Sequence, residues 1–257
     1  MFISHEVPFE FLEVSRKYND YDYALVHLFE NPDYKEFFEK SLRLGRVVYL
    51  DNSVFELGEA FEMESFIKEC VNLYKINQNN FYAIIPDVLD DTKATIQNVK
   101  KFKSLQPNIK TMAVLQGDSV VGLFDCYREI KDYVNIIGVN HISKAFKGST
   151  DIEKSGNRLE FCKVLNDLAV EDNKKLHSLG VILPLEACVL GSLESFVSID
   201  TSNPVIHGYQ QLSYECVESK PSLKLNDIFY EPLNLKQKHH IIQNIQTFRF
   251  MAKGIWR

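Results

Sequence analysis

The sequence has no closely spaced cysteine pair, no long apolar run and no excess of positive charge. Its five cysteines, Cys70, Cys126, Cys162, Cys188 and Cys216, are odd in number and never form a CxxC pair. That pattern suits free thiols in a reducing compartment. It also supplies no pair of neighbouring ligands on which a zinc site could start. The N-terminal stretch Met1-Phe-Ile-Ser-His-Glu6 lacks the basic region and apolar run of a signal peptide. No apolar run approaches the roughly 18 residues that cross a membrane. The expectation is a soluble cytoplasmic protein that uses no metal and no other cofactor. A net charge of −6 excludes a chain that is basic all over, while leaving room for a local basic groove.

What is present is enough for a full core. The chain has 257 residues, 45% hydrophobic and 25% charged, which excludes a disordered chain. The length is typical of one β/α barrel. Short apolar runs alternate with amphipathic runs of helical period, without repeats or low-complexity linkers. The strand candidates are Phe2–Ser4, Tyr23–Leu28, Val47–Asp51, Phe81–Asp87, Lys110–Gln116, Val134–Val139, Lys175–Gly180 and Phe196–Asp200. Between them lie helix candidates at Phe9–Lys17, Tyr34–Leu44, Glu64–Tyr74, Asp91–Phe102, Val120–Tyr133, Leu159–Leu168 and Pro184–Leu190. Eight such units predict a single-domain (β/α)8 TIM barrel over residues 1–231, with a basic closing helix over 232–257.

In that fold, the residues that terminate the strands face the mouth where substrates sit. The third candidate ends in Asp51, with Asn52 and Ser53 beside it, and the fourth in Asp87. The fifth ends in Gln116-Gly117, the sixth carries Gly138, the seventh Leu179-Gly180, and the eighth Asp200. Carboxylates and a carboxamide on a glycine-lined floor suit a planar, hydrogen-bonding ligand such as a purine base. Taken singly, an aspartate after a strand is a turn former or a helix cap. Asp90, Asp91 and Thr92 read as caps. His141 reads as a loop histidine, His27 and His177 as core or supporting residues, and His239-His240 as a solvated helix face.

At these residues the chain resembles the tRNA-guanine transglycosylase family, in its short virus-type or DNA-directed branch that handles 7-deazaguanines. The family's Asp-Ser-Gly-Gly-Phe turn is here Asp51-Asn-Ser-Val-Phe55. Its base-reading aspartate matches Asp87, its Val-Gln-Gly matches Leu115-Gln-Gly117, and its Met-Gly-Val matches Leu179-Gly-Val181. Its nucleophilic aspartate, four residues before a proline, matches Asp200 and Pro204. The likeness runs from about Leu50 to Pro204. Both glycines after Asp51 are replaced. The double glycine after the sixth strand is only Gly138, followed by Val139-Asn140-His141. The arginine after the nucleophile motif is absent, with Ile206 and His207 in that region, and the zinc subdomain is missing.

The resemblance implies exchange of guanine for a free 7-deazaguanine base, of preQ0 type, in DNA or tRNA. Asp200 would be the nucleophile and Asp51 the general acid/base. Asn52, Asp87, Gln116, Gly117, Gly138, Leu179 and Gly180 would hold the base. Loss of the zinc subdomain, which supports dimerisation and tRNA docking in the family, opens DNA as a substrate beside tRNA. A phosphate-binding surface would draw on Lys144 and Lys147 in Ser143-Lys-Ala-Phe-Lys147, and on Lys236, Lys238 and Arg249 in the tail, which has no acidic residue. Ordinary solvated faces are the plain alternative for both. Two other readings stand beside this one: a barrel glycosidase acting on sugars through Asp51 and Asp200, and a non-catalytic nucleic-acid-binding relative.

Overall fold

The computed structural model describes residues 1–141, 143–214 and 223–253. Cys216 and residues 254–257 of the expected closing helix lie outside them. Strand β1 (Phe2–His5) leads through a 3-10 turn to α1 (Leu12–Ser15). Strand β2 (Asp22–Leu25) runs into a 3-10 turn (Val26–Glu30) and α2 (Pro32–Arg43). Strand β3 (Val48–Asp51) precedes α3 (Val54–Leu57) and α4 (Met63–Ile76). Then come β4 (Phe81–Ile84) and α5 (Thr92–Leu105), β5 (Thr111–Val114) and α6 (Val120–Ile130), and β6 (Ile136–Val139) and α7 (Asp151–Glu171). Next are β7 (Lys175–Ser178) and α8 (Pro184–Gly191). Last are β8 (Phe196–Thr201), α9 (Asn203–Tyr209), α10 (Leu225–Ile228) and α11 (Leu235–Ala252). The strands form one sheet in the order β1-β8-β7-β6-β5-β4-β3-β2. Eight parallel strands alternating with helices make this a (β/α)8 TIM barrel.

The strand expected over Tyr23–Leu28 ends at Leu25, and Val26–Glu30 turns into a 3-10 helix. Val26, Leu28 and Phe29 are buried all the same, so the apolar run continues although the strand does not. Helix α7 begins at Asp151, eight residues before the expected start. Its first buried residues are Ser155 and Arg158 rather than apolar ones. Its N-terminus is fixed by a capping box in which Thr150 accepts from the Glu153 amide.

The chain divides into two compact units, one spanning Tyr21–Ala145 and the other Met1–Asp20 with Phe146–Arg257. In the first, strands β2 to β6 are buried almost throughout, as expected of parallel strands covered on both faces. Asn31 caps α2, Asp91 caps α5 and Ser119 caps α6, each accepting a free amide of the first turn.

In the second unit, β8 pairs with β1 and β7, and α11 packs on α8 and α9. The α9–α11 contact depends on Gly208, where an added Cβ would lie 2.5 Å from the Ile241 Cα. Backbone cannot yield as a flexible side-chain end can. Gly208→Ala is therefore expected to cost about 1–3 kcal/mol of stability, read as a lowered denaturation midpoint. An unchanged midpoint would show that the two helices can separate freely.

Candidate functional site

In the unit spanning residues 21–145, the acidic and amide strand ends are knitted together. Asp87 is fully buried. Its Oδ1 accepts from Asn52 Nδ2 at 2.9 Å, and its Oδ2 accepts from Gln116 Nε2. Burial raises the Asp87 carboxyl to about 6, against the two amide donations that favour ionisation. Gln116 is oriented from its other end, because its Oε1 accepts from the Asp90 amide at 3.0 Å. Asn52 also donates to the Ile85 carbonyl at 3.2 Å and accepts from the Val54 amide at 3.0 Å. Both ends of its carboxamide are thus engaged within the chain, which makes Asn52 the orienter of Asp87.

Asp51 stands at the end of β3. It accepts from the Tyr23 hydroxyl at 2.6 Å and from the Ser53 amide at 2.5 Å. Burial pushes its carboxyl up to about 8. The negative charges of Glu56 and Asp87 add to the rise, and the two donors oppose it. Near neutral pH, Asp51 is therefore a protonated acid that still has a proton to give. Ser53 adopts φ 62°, a left-handed conformation that costs a non-glycine residue energy. Its amide is thereby aimed back at Asp51.

Gly117 and the start of α5 lie in a tightly packed loop. An added Cβ on Gly117 would lie 2.9 Å from the Gly122 carbonyl carbon in α6, so its close approach is to that helix. Thr92, expected as a cap, opens α5 and donates its hydroxyl to the Gln116 carbonyl at 2.8 Å. Asp91 alone is the cap; Asp90 instead accepts from the Lys144 amide and pairs with its ammonium at 3.1 Å. Gly138 lies buried in β6, its carbonyl accepting from the Leu115 amide at 2.8 Å. His141 lies against the Phe55 ring, 6.1 Å between centroids.

The second unit carries Asp200 at the end of β8, 3% exposed. Its Oδ2 accepts from the Gly180 amide at 3.1 Å. Its Oδ1 is hydrogen-bonded to His177 Nε2 at 2.8 Å. The other ring nitrogen of His177 is 2.8 Å from Ser198 Oγ. Gly180 has φ 61°, which glycine adopts without penalty. The Leu179 carbonyl beside it accepts from Arg158 Nη1 at 2.9 Å. Sequence reasoning gave His177 only a supporting place and passed over Tyr23 and Arg158. The available signal was the placing of polar residues within or beside otherwise apolar runs.

The expected basic surface is partly taken up by the fold. Arg249 pairs with Asp20 at 2.8 Å and donates to the Ile3 carbonyl at 3.2 Å, which makes it a structural anchor. Lys238 pairs with Glu10 at 3.2 Å. Phe146 is buried against Phe161 and cannot serve as a stacking platform. Lys147 and Lys236 are exposed. Among the described residues, no group of three or more metal-ligating side chains gathers and no helix is long and apolar enough to cross a membrane.

The fold and these strand ends define a (β/α)8-barrel protein with buried acids where such barrels carry chemistry. No family model and no curated protein matches the chain. A solved structure of a protein provisionally assigned as a dehydratase from Mesorhizobium loti is similar, with TM-score 0.52 and 12% identity, over 87% of this chain and 59% of that one. A provisionally assigned mandelate racemase from the same organism gives TM-score 0.46 and 11% identity, over 71% of this chain and 42% of that one. The BexX/CysO complex of Amycolatopsis orientalis gives TM-score 0.46 and 8% identity, over 96% of this chain and 90% of that one. The chain thus spans about three fifths and two fifths of the two Mesorhizobium proteins. At such identities the dehydratase likeness speaks for the fold alone.

The buried acids also set a pH dependence of stability. Between about 4 and 8 the folded chain keeps the Asp51 proton that the unfolded chain has released. Stability attributable to this group therefore falls as pH rises through that window. Asp51→Asn removes the contribution. Between pH ~6.5 and ~8 the variant should lose less stability than the wild type in denaturant titrations. Equal losses would show that Asp51 is not protonated in the fold.

Proposed function

We propose that this chain exchanges guanine for a 7-deazaguanine base in DNA or tRNA, through an ester between Asp200 and the sugar. The observation that carries the reading is the pairing of two differently tuned carboxyl groups in one unit. Asp51 keeps its proton to about 8, while Asp87 is bracketed by the carboxamides of Asn52 and Gln116. The first has the chemistry of a general acid near neutral pH. The second offers carboxylate oxygens that accept from amide donors, as they would from a purine edge. The order of motifs in the sequence adds the nucleophile, Asp200.

The turn after β3 supports the resemblance where the sequence departs from it. Ser53 stands at the first of the two family glycine positions and still takes the left-handed backbone of a glycine. A residue other than glycine thus holds a backbone conformation that favours glycine at this position.

In the proposed reaction, an Asp200 oxygen bonds to C1′ as the bond from C1′ to the base nitrogen breaks. The electron pair leaves on the base, and Asp51 supplies the proton that neutralises it. Positive charge on the ring oxygen and C1′ is stabilised by the adjacent carboxylate. The incoming deazaguanine gives its ring N–H proton to Asp51, attacks C1′ and expels the Asp200 carboxylate. Two inversions restore the starting configuration. One glycosidic bond replaces another, so the exchange draws on no ATP. The target base must leave its stack, which favours looped or single-stranded substrate.

The test is incubation with guanine-labelled DNA and tRNA, separately, with a panel of free deazapurines. Wild-type protein should release label from one polymer. Asp200→Asn should lower release by at least ~10³-fold with a near-normal melting temperature. Release from neither polymer, or full activity in the variant, would overturn the reading. Cleavage of simple sugar glycosides instead would favour a glycosidase.

A further inference from the structure

The Asp200 carboxylate is not free to choose its orientation, and the groups that fix it are unequal. On one side is the Gly180 amide, part of a backbone segment pinned at several points. Arg158 holds the Leu179 carbonyl, and is itself bound through Nε to Glu186 Oε1 at 2.6 Å. The Val181 amide donates to the Asp200 carbonyl at 3.0 Å. The Ile182 carbonyl accepts from Asn203 Nδ2 at 2.6 Å and from the Tyr214 hydroxyl at 2.7 Å. On the other side is one side chain, His177, which is 0% exposed. It registers with Ser198 across the β7–β8 ladder. Ser198 and Asp200 lie two residues apart and so share a face of β8. The imidazole therefore runs alongside β8 and bridges them.

We propose that His177 is the positioning residue of Asp200, holding the carboxylate plane through Nε2–H while Ser198 sets the tautomer. The inference rests on the base-exchange reading of Asp200. An ionised carboxylate can only accept, so the bridging nitrogen must carry the proton. With the proton on Nε2, Nδ1 accepts from the Ser198 hydroxyl, and each of these atoms in the chain Ser198–His177–Asp200 has a use. With both oxygens engaged by fixed donors, Asp200 meets C1′ in one orientation. When the ester breaks, the charge returning to the carboxylate finds those donors already in place. Without His177, the Gly180 amide is the donor left to the carboxylate among the described residues, and rotation about its terminal torsion is less restrained.

The experiment compares His177→Leu with His177→Gln, which restores an N–H donor, in the labelled-guanine assay. Melting temperatures and ring-nitrogen NMR of the wild type and of Asp200→Asn accompany it. His177→Leu should lower kcat by about 100-fold, with KM for the polymer unchanged, and His177→Gln should recover to within about tenfold of wild type. The wild-type ring should be protonated at Nε2, with an Nε2 signal that shifts in Asp200→Asn. Equal impairment in both variants, wild-type rates in both, or a change confined to KM would overturn the proposal. If His177→Leu fails to fold, a His177→Gln rate more than about tenfold below wild type would overturn it, and a rate within about tenfold would support it. Absence of exchange by the wild type would overturn the base-exchange reading and with it the positioning of a nucleophile by His177. The ring spectrum would still judge the pairing: Nδ1 protonation, or an Nε2 signal indifferent to Asp200→Asn, would overturn that as well.

Discussion

A carboxyl group taken out of water must either be given donors or keep its proton, and three such groups at strand ends shape much of this chain. Asp87 is given two carboxamides, Asp200 an imidazole and a backbone amide, and Asp51 a phenol and an amide. The balance of donors against burial differs between Asp51 and Asp87. Asp51 is raised to about 8 and Asp87 only to about 6. Environments that push neighbouring acids apart separate one that can give a proton from one that can accept a hydrogen bond.

The surrounding structure holds those donors still. Gln116 can face Asp87 because Asp90 and Thr92 fix its two ends. That loop is in turn drawn against α6, where Gly117 and Gly122 let the backbones approach. In the other unit, Arg158 is wholly buried and faces Glu186 with 1% side-chain exposure on both partners. A buried pair of this kind is costly to break and adds little net stability against an apolar pair. Its observable effect is to hold the Leu179 carbonyl, next to the amide that Asp200 uses. Strain at Ser53 has the same sense, since the left-handed residue turns its amide onto Asp51.

Much of this frame was legible in the sequence. Every strand candidate contains or overlaps an observed strand, because a parallel strand buried on both faces must be apolar throughout. The same property misled at Val26–Phe29, where burial continues after the strand has ended; hydrophobicity alone does not tell a buried turn from a buried strand. The front of α7 was hidden because Ser155 and Arg158, not apolar residues, face the interior. The Thr150 and Glu153 capping box was the available sign. Asp51, Asp87, Gln116 and Asp200 could be read as strand ends. Their partners could not, since bonds such as His177–Asp200 and Tyr23–Asp51 depend on inter-strand register, and a shift of one residue turns each side chain to the opposite face. The basic tail misled for a related reason: Arg249 and Lys238 find their acids, Asp20 and Glu10, more than two hundred residues away.

In the proposed reaction one buried carboxylate, Asp200, bonds covalently to the sugar of a nucleic acid. The most direct measurement is to mix the protein with the polymer that releases guanine, omit the incoming base, quench with denaturant and map the modified peptide by mass. A nucleotide adduct on Asp200 is expected. Guanine release with no adduct there, or with the adduct on another residue, would contradict it.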